Sequence, residues 1–160
     1  MARAIGDSNE PLMVKTDKRR LQQVILNIQS NALKFTDKGG SVSVIYSLYK
    51  EDGKSFCEVQ IKDTGMGIKR KDKKKLFKLF GFVQSTEDVN TRGIGLGLVI
   101  SKKIVERFDG DIGFKSKWLK GSTFGFRINL ENTLENTTVN LGKKNDNSLG
   151  DLYSATDREG

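Results

Sequence analysis

LQQVILNIQSNALKFTDKGGSVSVIYSLYKEDGKSFCEVQIKDTGMGI, residues 21–68, changes its apolar period from that of a helix to that of a strand, and the change decides the fold. Leu21, Val24, Ile25, Ile28, Ala32 and Phe35 recur three and four residues apart, which is one face of an α-helix. Thr16 or Asp17 stands where such a helix is capped, after an extended segment at 11–14. Thr36-Asp37-Lys38-Gly39-Gly40 stops the helix. Over 41–50 the period falls to two through Val42, Val44, Tyr46 and Leu48. Glu51-Asp52-Gly53-Lys54 turns the chain, and 56–62 returns as a second strand in which Cys57, Val59 and Ile61 share a buried face.

Downstream, the pattern predicts a short helix over 73–80, a Gly/Ser/Thr-rich stretch over 81–95 and a helix over 96–108 that Asp109-Gly110 breaks. Strands follow over 111–117 and 122–130, joined by a turn containing Lys120-Gly121. Phe108, Phe114, Phe124 and Phe126 fit the core, and Trp118 fits packing at a strand end. The expected fold is α+β: a two-layer α/β sandwich whose mixed, mostly antiparallel sheet is covered on one face by helices.

The chain has 160 residues and a formal charge of +8, with 28 Lys and Arg against 20 Asp and Glu. One cysteine, Cys57, and no histidine exclude an internal disulfide, any Cys/His zinc site, a His-dependent nucleophile and an internal phospho-accepting histidine. No apolar run is long enough for a signal peptide or membrane span, which leads to a cytoplasmic expectation for this segment even where a parent protein is membrane-anchored. Residues 131–160 hold six acids, three bases and five asparagines without apolar period, so they read as a disordered tail. The expected division is an N-terminal extension at 1–10, one domain at 11–130 and that tail.

Three segments carry chemistry. On the first helix Asn27, Asn31 and Lys34 form a polar stripe at spacings of four and three, with amide oxygens suited to Mg²⁺ and an ammonium suited to a phosphate oxygen; a solvated helix face is the plain alternative. Asp63-Thr64-Gly65-Met66-Gly67-Ile68 follows a strand: its carboxylate can accept a hydrogen bond from an exocyclic amine, and its glycines admit close backbone approach. Arg92-Gly93-Ile94-Gly95-Leu96-Gly97-Leu98 opens a helix, where free N–H groups make an anion site. There is no Walker-type phosphate loop. Seven of the eleven residues 68–78 are Lys or Arg, which reads first as a solvated face, with nucleic-acid binding as the competing reading and an acidic protein partner as a further one; nucleic acid is not the expected partner.

In their order, LQQVILNIQSNALKFT, DTGMGI, LFKLFGF and RGIGLGL resemble the N, G1, F and G2 boxes of the sensor histidine kinase catalytic and ATP-binding domain, of the GHKL superfamily and Bergerat fold. The resemblance covers about residues 12–130. It implies ATP and Mg²⁺ as ligands, with Asn31 as metal ligand, Asn31 and Lys34 as catalytic residues, and Asn27 one turn before. It also implies that Phe35 packs near the nucleotide, that Asp63 meets the adenine amine, and that Gly65, Gly67 and Ile68 shape the base pocket. Arg92, Gly93, Gly95, Leu96, Gly97 and Leu98 would hold the phosphates, 81–92 would be the ATP lid, and Ser122 would help to position Asp63.

Asn27 stands where the gyrase, MutL and Hsp90 branches carry a glutamate that activates water. An amide cannot be that general base, which favours phosphoryl transfer to a protein histidine. The histidine would lie on a dimerisation hairpin outside this chain, with a response-regulator receiver as further partner and no membrane contact by this segment. Phe82 departs from the pattern at a position that often reaches the γ-phosphate, with Lys78 and Arg92 nearby as substitutes. That departure keeps a second reading open, a nucleotide-binding regulatory module without phosphotransfer.

Overall fold

The computed structural model describes residues 16–78 and 96–130. Helix α1 spans Lys18–Lys34. Asp17 is its cap: the carboxylate accepts the Arg20 N–H at 3.1 Å, satisfying a donor that the first turn leaves without a partner. At the other end the Phe35 N–H closes onto the Asn31 carbonyl at 3.0 Å. The helix buries Val24, Ile28 and Ala32, the middle of the stripe that its periodicity predicts.

Strands β1 (Val42–Glu51) and β2 (Lys54–Asp63) form a hairpin in register from Val42 opposite Asp63 to Glu51 opposite Lys54. Asp52 and Gly53 both have positive φ, 50° and 79°, which is the backbone that a two-residue turn with matching twist requires. A four-residue helix α2 (Arg70–Lys73) follows. The helix expected over 73–80 is not what the described residues form there: α2 starts three residues earlier, and the chain continues to Lys78 in turns closed by i to i−3 bonds. Like charges four apart, Arg70 with Lys74, Lys71 with Lys75 and Lys74 with Lys78, oppose a regular helix there.

Helix α3 (Gly97–Glu106) leads into β3 (Asp111–Lys117) and β4 (Gly121–Asn129). Its predicted last residues, Arg107 and Phe108, form a tightened turn before Asp109, whose φ is +50°. The sheet order is β1-β2-β4-β3, antiparallel at every pairing. Thus β4 lies between β2 and β3 and brings the end of β2 against the β3–β4 turn: Asp63 stands opposite Ser122, which stands opposite Ser116.

Both long helices pack on one face of this sheet. Val24, Ile28 and Ala32 of α1 and Ile104 and Val105 of α3 meet Val59, Ile61, Ile112, Phe126 and Ile128. Of the predicted core aromatics Phe126 is fully buried. Phe108 and Phe124 are half-buried against the cluster, and the half-buried Phe114 stacks on Phe124 with ring centroids 5.4 Å apart. Cys57 is half-buried beside the core, and burial pushes its thiol up to about 11, so it is not a reactive thiolate at neutral pH. β1 departs from the simple alternation. Val42 and Leu48 pack on the core, but Val44 and Tyr46 are exposed, because β1 is an edge strand and α1 packs against α3 and β2.

On the other sheet face Arg127 bonds carboxylates at both sides, Glu51 of the hairpin and Asp111 of β3 at 3.0 Å. Its guanidinium also lies 4.9 Å from the centroid of Phe56. One side chain of β4 thereby ties the other three strands together.

Candidate nucleotide site

The loop 63–68 is fastened at both ends. Asp63, the last residue of β2, is buried, and one of its carboxylate oxygens accepts two backbone N–H bonds, from Gly65 at 2.9 Å and Ser122 at 3.1 Å. Burial pushes this carboxyl above its ordinary range, and the two N–H bonds pull it partway back. Thr64 exchanges two backbone-linked bonds with Ser41, and the Met66 N–H reaches the Phe35 carbonyl at 3.1 Å. The far end is held by β3 and β4, with Ile68 N–H donating to Ser116 Oγ at 2.8 Å and Leu119 N–H to the Met66 carbonyl at 2.7 Å.

Two glycines of the loop are explained by approach. A Cβ on Gly65 would stand 2.1 Å from the Phe35 carbonyl oxygen. One on Gly67, whose φ is +66°, would stand 2.1 Å from that of Lys117. The fold thus seats the loop between the end of α1 and the β3–β4 turn. At the strand ends an open cleft of about 260 Å³ is lined by Asp63, Ser116, Gly121, Ser122 and Thr123, and by Lys62, Lys115, Lys117 and Lys120, with no residue of α1, of 64–68 or of α3.

The stripe on α1 divides. Asn27 is turned onto α3: its amide N–H donates to Ser101 Oγ at 2.9 Å, and a Cβ on Gly97 would meet its Oδ1 at 2.2 Å. Asn31 is half-buried one turn on, and among the described residues none hydrogen-bonds its side-chain amide. Lys34 is exposed, its ammonium 5.4 Å from the centroid of the half-buried Phe35 ring. At the start of α3, Leu96 has no side-chain acceptor to offer the first-turn N–H groups. Leu98 packs against the core. Arg92, Gly93 and Gly95, the predicted lid at 81–92 and Phe82 lie outside the described residues.

Periodicity did not single out Ser116 or Lys73. Ser116 accepts from Ile68, approaches Ser122 Oγ at 3.0 Å and Gly121 O at 3.2 Å, and its carbonyl receives the Lys73 ammonium at 2.6 Å. One signal was present: two residues after Phe114 and four after Ile112, Ser116 is a polar residue on an otherwise apolar strand face. Trp118, predicted at a strand end, lies in the β3–β4 turn with the Lys69 ammonium 4.5 Å from its ring.

A buried carboxylate fixed at the end of β2, a half-buried amide on the adjoining helix and an uncapped helix N-terminus are features that an α/β sandwich can turn to an anionic ligand. Residues 16–132 match the family of histidine kinase-, DNA gyrase B- and HSP90-like ATPases, and the chain belongs to it. Within that family its likeness is to the catalytic domain of sensor histidine kinases. The signal transduction histidine-protein kinase BarA of Escherichia coli K12 is 42% identical over 124 residues, 78% of this chain and 14% of BarA. The catalytic domain of the histidine kinase ThkA superposes with a TM-score of 0.60 at 30% identity, covering 77% of this chain and 74% of that one. Full-length ShkA in complex with AMPPNP superposes with a TM-score of 0.54 at 29% identity, over 71% of this chain and 22% of ShkA. The chain therefore spans about one seventh of the length of BarA. Among the described residues no helix is long and apolar enough to cross a membrane.

Proposed function

We propose that this histidine kinase-type catalytic domain binds Mg-ATP between α1, the 63–68 loop and the start of α3, and transfers the γ-phosphoryl group to a histidine supplied by another helical segment. The chain itself has no histidine. The observation that carries this reading is Asp63: one carboxylate oxygen is fixed by two backbone N–H groups, which leaves the other to accept from an exocyclic amine of a base held beside the 63–68 loop. The bound AMPPNP of the structurally similar ShkA supports an adenine nucleotide. Gly65, Gly67 and Ile68 floor the base pocket, Phe35 flanks it and Ser122 backs it. Lys34 and the first turn of α3, from Leu96 through Gly97 and Leu98, meet phosphate oxygens, joined in this reading by Arg92, Gly93 and Gly95.

The donor set fits magnesium in the way that a nucleotide-borne ion needs. Among the described residues no group of three acidic, Cys or His side chains could cage a metal, while the Asn31 amide is open. Bound there with phosphate oxygens and water, Mg²⁺ supplies charge neutralisation at the triphosphate. Asn27 is engaged with Ser101 and is an amide, so it does not activate water, which favours transfer to a protein nucleophile over hydrolysis. A histidine-bearing hairpin and a receiver domain of the parent system complete the proposed partners, and the setting is cytoplasmic. The regulatory-module alternative rests on Phe82, and nothing in the described residues favours it.

Calorimetric titration with a non-hydrolysable ATP analogue, with and without Mg²⁺, tests the reading. Wild-type protein binds saturably and more tightly with Mg²⁺; Asn31→Ala keeps metal-free affinity within about twofold and loses most of the magnesium enhancement, about tenfold for one charge-assisted contact. Absence of binding by the wild type would end the proposal. A pH series adds a second check. The ionised form of Asp63 accepts the amine, so affinity falls as pH drops through its raised pKa, by up to tenfold per unit. An affinity that is flat down into the ordinary carboxylate range would show that Asp63 does not meet the base.

A further inference from the structure

Ser116 belongs to no box, yet its hydroxyl is the meeting point of the loop and the turn. A serine hydroxyl has one proton and two lone pairs. Ile68 N–H fills one lone pair at 2.8 Å. If the proton goes to the Gly121 carbonyl at 3.2 Å, the Ser122 hydroxyl at 3.0 Å donates to the second lone pair and every position is used. The Gly121 carbonyl and the Ser122 N–H are the two ends of one peptide unit, and that N–H donates to Asp63 at 3.1 Å. The bonds therefore run in one direction, from Ile68 through Ser116 and the Gly121–Ser122 peptide to the Asp63 carboxylate. Bonds in such a chain polarise one another, so the last is stronger for the presence of the first.

We propose that Ser116 is a positioning residue for base recognition: its hydroxyl holds the Gly121–Ser122 peptide in the orientation that aims the Asp63 carboxylate at the exocyclic amine of the nucleotide. This rests on the reading of Asp63 as the amine acceptor and assigns the discrimination to a residue that touches no part of the ligand. Ser116 is itself held in place, since the Lys73 ammonium bonds its carbonyl and its strand pairs with β4 through Ser122. Without the hydroxyl, Ile68 N–H loses its acceptor, the peptide is released from one side, and the carboxylate keeps only the Gly65 N–H at full strength.

The test compares two ligands, a non-hydrolysable ATP analogue and the matching purine riboside triphosphate that lacks the 6-amino group, on wild type, Ser116→Ala, Ser116→Thr and Ser116→Val. Thermal melts accompany each titration. Thr and Val have the same shape and differ in the hydroxyl, so this pair isolates it even where Ala does not fold. Ser116→Ala and Ser116→Val are expected to lose about fivefold in affinity for the amino ligand and under twofold for the other, with Thr close to wild type. Equal losses on both ligands, or Thr and Val behaving alike, would reduce Ser116 to a structural residue and overturn the proposal. Wild-type preference for the amino purine that survives intact in Ser116→Ala and Ser116→Val overturns it as well and leaves the Asp63 reading standing. Wild-type protein that binds both ligands equally, or neither, overturns the Asp63 reading and this proposal with it.

Discussion

Asp63→Asn protein folds and melts at or slightly above the wild-type temperature but loses adenine-nucleotide binding by about 2 to 3 kcal/mol, roughly 30- to 150-fold. The substitution keeps shape and leaves one carbonyl oxygen, which can still accept from Gly65 and Ser122. The second oxygen becomes an NH₂ group. Where the carboxylate would accept from the base amine, the amide presents a donor to a donor, so a favourable charge-assisted bond is replaced by a repulsive contact. Stability moves the other way. The folded-state pKa of Asp63 is raised, chiefly by burial, so the protonated form is favoured by folding. The stability contributed by this group is full below the unfolded pKa and is lost as pH rises through the folded one, and at neutral pH the ionised form carries a cost that asparagine removes. Titration calorimetry beside differential scanning calorimetry measures both. Retained binding in Asp63→Asn would remove the carboxylate from base recognition; lost binding with a collapsed melting temperature would attribute the effect to folding.

What was legible in the residues was whatever depends on local period and local turn chemistry. The α1 face, the hairpin turned by Asp52 and Gly53, α3 and the last two strands follow from spacing alone, and they place Asp63 at a strand end. The box order then pointed to the family, because four short motifs in register constrain one another far more than any one does. What was not legible depends on which elements become neighbours. Nothing in the sequence of α1 says that Asn27 faces Ser101 and Gly97 while Asn31 keeps its amide open, since both occupy one polar stripe. The exposure of Val44 and Tyr46 requires knowing that β1 is an edge. Ser116 matters only because the sheet order seats β4 between β2 and β3, so that residues 48 apart in sequence, Ile68 and Ser116, share a hydrogen bond. The short α2 reflects a competition that pattern reading underweighted: the apolar residues 76, 77, 79 and 80 suggest a helix, and a run of like charges opposes it.

Gly121→Ala is expected to be strongly destabilising, by about 3 kcal/mol or more, because two independent penalties coincide there. Its φ is +103°, outside any region that an alanine occupies without strain, and a Cβ would stand 2.1 Å from the Asp63 carbonyl oxygen and 2.9 Å from Thr64 Cα. Both obstacles are backbone, so no side-chain rotation relieves them. Moving β4 away from β2 to admit the methyl group would shift the Ser122 N–H from Asp63 and the Gly121 carbonyl from Ser116, so nucleotide affinity falls together with stability. Gly39→Ala separates the two penalties, since Gly39 has φ +89° and nothing within 4 Å of the added Cβ; conformational strain alone predicts about 1 kcal/mol there and unchanged binding. Urea unfolding at constant m-value measures the pair. If Gly121→Ala were as mild as Gly39→Ala, the β2 and β4 backbones would have to separate at low cost beside Asp63. The fixed carboxylate on which base recognition depends would then be lost as an explanation.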